Sequence, residues 1–149
     1  MRTKYLFFFS TILFFSTCKP EMKPINYGQD GCAFCQMTIV DSRYAGELVT
    51  DKGKVYKFDA IECMINYKHE HATTDYALTL VSTIDEKKLK PAADCTYLRS
   101  GQLPSPMGMY ITGVSSLEMG KKYQHGFGGT LYTWSELNEK FKELPTISQ

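Results

Sequence analysis

The sequence predicts an α+β fold in which strands and helices alternate through two successive, similar blocks. Three observations carry this reading. Short β-branched and aromatic segments recur between turn residues. Three segments open with Asp, Ser or Thr followed three residues later by Glu, the signature of a helix start, at Asp59/Glu62, Ser115/Glu118 and Thr133/Glu136. The order of these signals in the first half is repeated in the second, which favours layered sheet-and-helix packing over a bundle or a pure β sandwich.

The turn-rich stretch Tyr27–Gly31 leads into a cysteine cluster, after which Met37-Thr38-Ile39-Val40 reads as a strand. Gly46–Asp51 and Lys54–Phe58, joined at Lys52-Gly53, read as a hairpin. Asp59 is expected to cap a helix whose apolar stripe is Ile61, Met64 and Ile65, ending near His71, before a strand over Tyr76–Val81. In the second block Cys95–Leu98 reads as a strand and Ser100–Pro106 as a Gly/Pro-rich loop. Met107–Val114 is a further expected strand, followed by a helix capped by Ser115 that runs to His125. Gly126, Gly128 and Gly129 stop it, Thr130–Tyr132 extends, and Thr133 caps a last helix through Leu144.

The first residues have the form of a secretory leader. Arg2 and Lys4 precede an apolar run from Tyr5 to Phe15, and Ser16-Thr17 leads to Cys18. The run is shorter than the roughly 20 residues a membrane-spanning helix needs. A Cys after small residues reads as the lipid-modified residue of a bacterial lipoprotein, although Phe15 and Thr17 depart from the usual pattern. The expected organisation is a leader over 1–17, an anchor and polar tether over 18–27, and one domain over 28–149. The expected location is a bacterial membrane, held by lipid on the periplasmic or extracytoplasmic face.

The chain carries 17 Lys+Arg and 16 Asp+Glu, and loss of Arg2 and Lys4 with the leader makes it slightly acidic. No basic surplus points to nucleic acid as a partner.

With Cys18 lipidated, Cys32, Cys35, Cys63 and Cys95 remain. In an oxidising compartment an even number suggests disulfides. A Cys63–Cys95 bridge, or two buried thiols, is the simple reading of that pair. Cys32 and Cys35 form Cys-x-x-Cys, but this motif precedes an expected strand and not the helix a redox dithiol uses to lower its thiol pKa. Cys35 and Met37 lie two apart, so in an extended segment both sulfurs point to one side. A thiolate and a thioether suit soft Cu(I), which favours sulfur and low coordination, and suit zinc or hard cations poorly. Met107-Gly108-Met109 repeats the spacing and could supply a third sulfur, with Cys32, Met109 and Met64 as reserve ligands. Core packing is the alternative fate of each Met.

The histidines are weaker candidates. His69 and His71 diverge by about 200° on a helix, and His125 sits at a helix end. Asp30 and Asp41 read as turn residues. No nucleophile–base–orienter set or catalytic carboxylate pair stands out, so no enzyme is expected.

Taken in order, these pieces resemble the NosL family, lipoprotein copper chaperones that serve nitrous-oxide reductase assembly. The resemblance rests on Cys18, Gly28-Gln29-Asp30-Gly31-Cys32, Cys35-Gln36-Met37, Lys57-Phe58-Asp59 before a helix with Cys63 and Met64, Ser105-Pro106-Met107-Gly108, and Phe127-Gly128-Gly129-Thr130-Leu131. It implies two ββαβ-type halves, similar to an organomercurial-lyase accessory domain. It also implies one Cu(I) held by Cys35 and Met37, with Met107 as a further ligand. Implied partners are a copper-transporting or ABC-type membrane complex and apo nitrous-oxide reductase. Cys32, Cys63 and Met109 are extra to the ligand set that the resemblance implies. Two other readings remain open: a thiol–disulfide redox lipoprotein using Cys32 and Cys35, and a structural lipoprotein that binds no metal.

Overall fold

The computed structural model describes residues 19–144; the expected leader and Cys18 lie outside the described residues. Two antiparallel sheets form, each from one block. The first comprises β1 (Gly46–Thr50), β2 (Val55–Phe58), β3 (Tyr76–Ser82) and β4 (Leu89–Pro91), in spatial order β2-β1-β3-β4. The second comprises β5 (Thr96–Arg99), β6 (Ile111–Val114) and β7 (Thr130–Tyr132), in order β6-β5-β7. Helix α1 (Ile61–Glu70) connects β2 to β3, α2 (Leu117–Phe127) connects β6 to β7, and α3 (Trp134–Lys140) follows β7. Each half is thus a hairpin, a helix and a strand that returns beside the hairpin's first strand. This is the expected ββαβ pair, with β4 and α3 added.

The register shows how the sequence selects these faces. β1 pairs Glu47 with Lys57 on β2 and with Leu80 on β3. Strand geometry places Gly46 and Leu48 on the face covered by α1. A Cβ at Gly46 would lie 3.0 Å from the Met64 sulfur, so the missing side chain makes room for the helix. The two sheets meet at a second close approach. A Cβ at Gly113 would stand 2.9 Å from the Ser82 carbonyl oxygen, and the Ile84 N–H donates to the Gly113 carbonyl nearby. One apolar core spans both halves, from Ile39, Leu48, Phe58 and Ile61 to Tyr97, Ile111, Leu137 and Phe141. Among the described residues no helix is long and apolar enough to cross a membrane.

Several local expectations are corrected. Residues 37–40 form no strand; a single antiparallel bridge joins Gly31 to Thr38. Met107 and Gly108 lie in a turn, and β6 begins only at Ile111, because Gly108 and Tyr110 take positive φ of 73° and 61°. Asp59 does not cap α1: the N-cap is Ala60, with no side-chain cap. Its expected partner Glu62 instead accepts from the Ser105 hydroxyl. The cap of α2 is Ser116, one residue later than expected, while Ser115 donates through both N–H and hydroxyl to Asp85. Thr133 and Glu136 form the expected reciprocal box on α3.

Candidate metal centre

The site is built on a short irregular hairpin over residues 28–39 that covers the edge of the first sheet. The Gly28 N–H donates to the Ile39 carbonyl, the Ile39 N–H to the Asp30 carbonyl, and the Cys32 N–H to the Met37 carbonyl at 2.8 Å. The tip is therefore a four-residue loop, Ala33 to Gln36, closed by the Gln36 N–H on the Cys32 carbonyl. Gln36 completes the reversal with φ of 66°, a left-handed conformation that favours Gly or Asn. The Ala33 N–H donates to the Lys57 carbonyl and so docks the tip on β2. At the base, Lys57 Nζ pairs with Asp30 at 2.7 Å and also donates to the Pro24 carbonyl.

This closure gathers four donors. Sulfur atoms of Cys32, Cys35 and Cys63 and a carboxylate oxygen of Asp59 all lie within 4.8 Å of one another. Cys32 and Cys35 come from the tip, Asp59 from the two-residue step after β2, and Cys63 from the first turn of α1. The Cys35 thiol donates to Asp59 Oδ1 at 3.4 Å. Cys32, Asp59 and Cys63 are buried, and only Cys35 is half-buried.

The turn favours the anion at Cys32 and not at the other two sulfurs. The N–H groups of Phe34 and Cys35 point at Cys32 Sγ, joined by that of Asp59, and the Met37 N–H points at Cys35 Sγ. The neighbouring Cys63 thiol and the backbone N–H groups hold the Cys32 thiol well below its ordinary pKa against the opposing effect of burial. Cys63 is pushed up by Cys32 beside it, and burial adds to the effect. Burial also pushes Cys35 up, with its neighbour Cys32 contributing. The first thiolate to form is therefore Cys32. The uncapped N–H groups at the start of α1 add a favourable field for negative charge.

The expected ligands fall in different places. Cys35 and its reserve Cys32 join the cluster. Met37 follows on the outside of the tip with 47% of its surface exposed, and Met107 is 37% exposed in its own loop. Met109 is partly buried against the core, and Met64 is wholly buried beside Gly46. Cys63 does not bridge to Cys95: all four described cysteines are free, and Cys63 faces Cys32. The Cys95 thiol donates instead to the Pro91 carbonyl at 3.5 Å. From the sequence Asp59 reads as a cap and Cys63 as half of a buried pair, and neither as a ligand. Their spacing carries no ligand signal, because Asp59 lies ahead of the extended N-cap Ala60 and outside the helix that holds Cys63.

The comparisons agree with this architecture. The crystal structure of the copper chaperone NosL from Shewanella denitrificans matches with a TM-score of 0.68 at 18% identity, covering 78% of this chain and 94% of that one. No curated protein matches. The NosL family pattern matches residues 25–141, the span that holds both ββαβ halves and all four clustered donors, and the chain belongs to the NosL family.

Proposed function

We propose that this protein is an extracytoplasmic Cu(I) carrier, held to a bacterial membrane through lipid on Cys18. It accepts the ion at Cys35 with Met37 and Met107 as thioether ligands. The observation that carries the reading is a half-buried thiol at a hairpin tip, next to an exposed Met37 and backed by two further thiols. Soft sulfur donors of this kind suit Cu(I). A half-open site leaves room for an incoming ligand, which is what transfer by ligand exchange requires. The family and the copper chaperone of like fold support the same reading.

The recipient is a copper enzyme under assembly, nitrous-oxide reductase or a related protein, reached directly or through a membrane transport complex. The protein acts as a carrier and not as an enzyme. The Met107 loop is tied to α1, which supports a part for it in this role. Ser105, two residues before Met107, bonds to Glu62, the neighbour of Cys63.

Anaerobic Cu(I) titration against a competing chelator tests the proposal, with Cys35→Ser and Met37→Leu variants. A 1:1 complex weakened in both variants is the expected result. Binding that survives Met37→Leu unchanged would remove the thioether from the site. Absence of copper binding, with reduction of a model disulfide dependent on Cys32 and Cys35, would replace the carrier reading with a redox one.

A further inference from the structure

Asp59 is the one donor in the cluster that Cu(I) does not explain. It is 4% exposed, leaves the start of α1 uncapped, and accepts from the Cys35 thiol. A buried carboxylate is costly unless its surroundings use it. A soft, low-coordinate cation gains little from a carboxylate oxygen, whereas a borderline divalent ion readily takes three thiolates and one carboxylate in a tetrahedron.

We propose that Cys32, Cys35, Cys63 and Asp59 form a four-coordinate S3O site for a divalent, zinc-like ion, with Asp59 the ligand that distinguishes it from copper. The four donor atoms already lie within 4.8 Å of one another. A tetrahedron with Zn–S bonds of about 2.3 Å has sulfur–sulfur edges of about 3.8 Å, so closure requires shifts of side chains and not of elements. Two rigid parts supply the donors: the bonded hairpin tip carries Cys32 and Cys35, and the start of α1 carries Asp59 and Cys63. The N–H groups aimed at Cys32 and Cys35 offset the excess negative charge of three thiolates and a carboxylate. The thiol protons pass to solvent as the ion binds.

The divalent site shares Cys35 with the copper site proposed above, so the two ions exclude each other. It does not depend on the copper reading, because Asp59 serves only the divalent ion.

The test uses Co2+ as a spectroscopic probe on the full chain, reduced and free of oxygen, with Zn2+ as competitor and Cu(I) measured in parallel. Wild-type protein is expected to give thiolate-to-cobalt charge transfer and the intense visible bands of four-coordinate Co2+, lost on adding one equivalent of Zn2+. Asp59→Asn should weaken Co2+ by more than about tenfold, the scale on which altered metal surroundings act, and by several times more than it weakens Cu(I). X-ray absorption on Zn2+-loaded wild-type protein needs no variant, and should show three sulfurs and one oxygen. Weak six-coordinate cobalt bands, a zinc shell with fewer than three sulfurs, or equal loss of Cu(I) and Co2+ in Asp59→Asn would each overturn the proposal. Failure of Cu(I) binding alone would overturn the copper carrier and leave this site standing.

Discussion

The Cys35 thiol donates to the Asp59 carboxylate across 3.4 Å, joining the hairpin tip to the residue that leads into α1. Of the four described cysteines, Cys35 alone is not buried, and Cys32 beside it is 1% exposed. Brief treatment of the reduced, folded protein with a small alkylating reagent should therefore label Cys35 well before Cys32, Cys63 or Cys95. Metal loading should suppress that labelling, and denaturant should expose all four. Peptide mass spectrometry reads each site. Labelling of Cys63 as fast as Cys35 in the folded state would contradict the packing described.

The tip turns on Gln36, a non-glycine residue at φ of 66°. A left-handed conformation costs an L-residue roughly 1–2 kcal/mol, partly offset by what Gly loses in the unfolded chain, about 0.4–1 kcal/mol. Gln36→Gly should therefore be neutral or stabilising by up to about 1 kcal/mol. Gln36→Val, β-branched at the same φ, should destabilise by more than about 1 kcal/mol and weaken metal binding by displacing Cys35. Denaturant melts of both variants, with metal titration, test this.

The sequence reveals the element order well and the site only in part, for a physical reason. Strands and caps such as Thr133/Glu136 are written in local pattern and spacing. The centre is assembled by a reversal, and Met37–Val40 reads as extended because neither Gln36 nor the residues around it signal a left-handed turn. Asp59 reads as a cap by the same local rule. Its use is set by Cys35, brought near by a backbone bond from Ala33 to β2 that no short motif records. Cys63 reads as isolated because its neighbour Cys32 is 31 positions away in the chain.

Glu47 makes stability depend on pH. Its side chain is fully buried on β1; Oε1 accepts from the Lys23 N–H at 2.8 Å and Oε2 has no partner. Burial raises its pKa, against Lys23 and Lys57, while Asp30 adds to the rise. A raised folded pKa means the folded state holds the proton more tightly than the unfolded chain. The contribution to stability is full below the ordinary carboxylate range and is lost as pH rises through the folded value. Glu47→Gln should flatten this decline and melt higher than wild type at neutral and alkaline pH. Thermal melts from pH 4 to pH 8 would reveal it; a variant that gains stability only in acid would reverse the sign and refute the assignment.

Ser105 separates the role of the Met107 loop in folding from its role in metal binding. Its hydroxyl donates to the Glu62 carboxylate and accepts from the Tyr110 N–H at 2.9 Å, all in a buried setting. Ser105→Ala leaves two buried polar groups without their partner, at a cost of about 1–3 kcal/mol. It should lower the melting temperature and weaken Cu(I) together, because the loop loses its link to α1. Met107→Leu acts differently: the side chain is 37% exposed, so stability should hold within about 0.5 kcal/mol. If Met107 is a ligand, Cu(I) affinity falls nonetheless. Measuring both quantities on both variants distinguishes a thioether that binds from a loop that only positions. Unchanged Cu(I) affinity in Met107→Leu, with the expected loss of stability in Ser105→Ala, would leave Cys35 and Met37 to hold the ion without it.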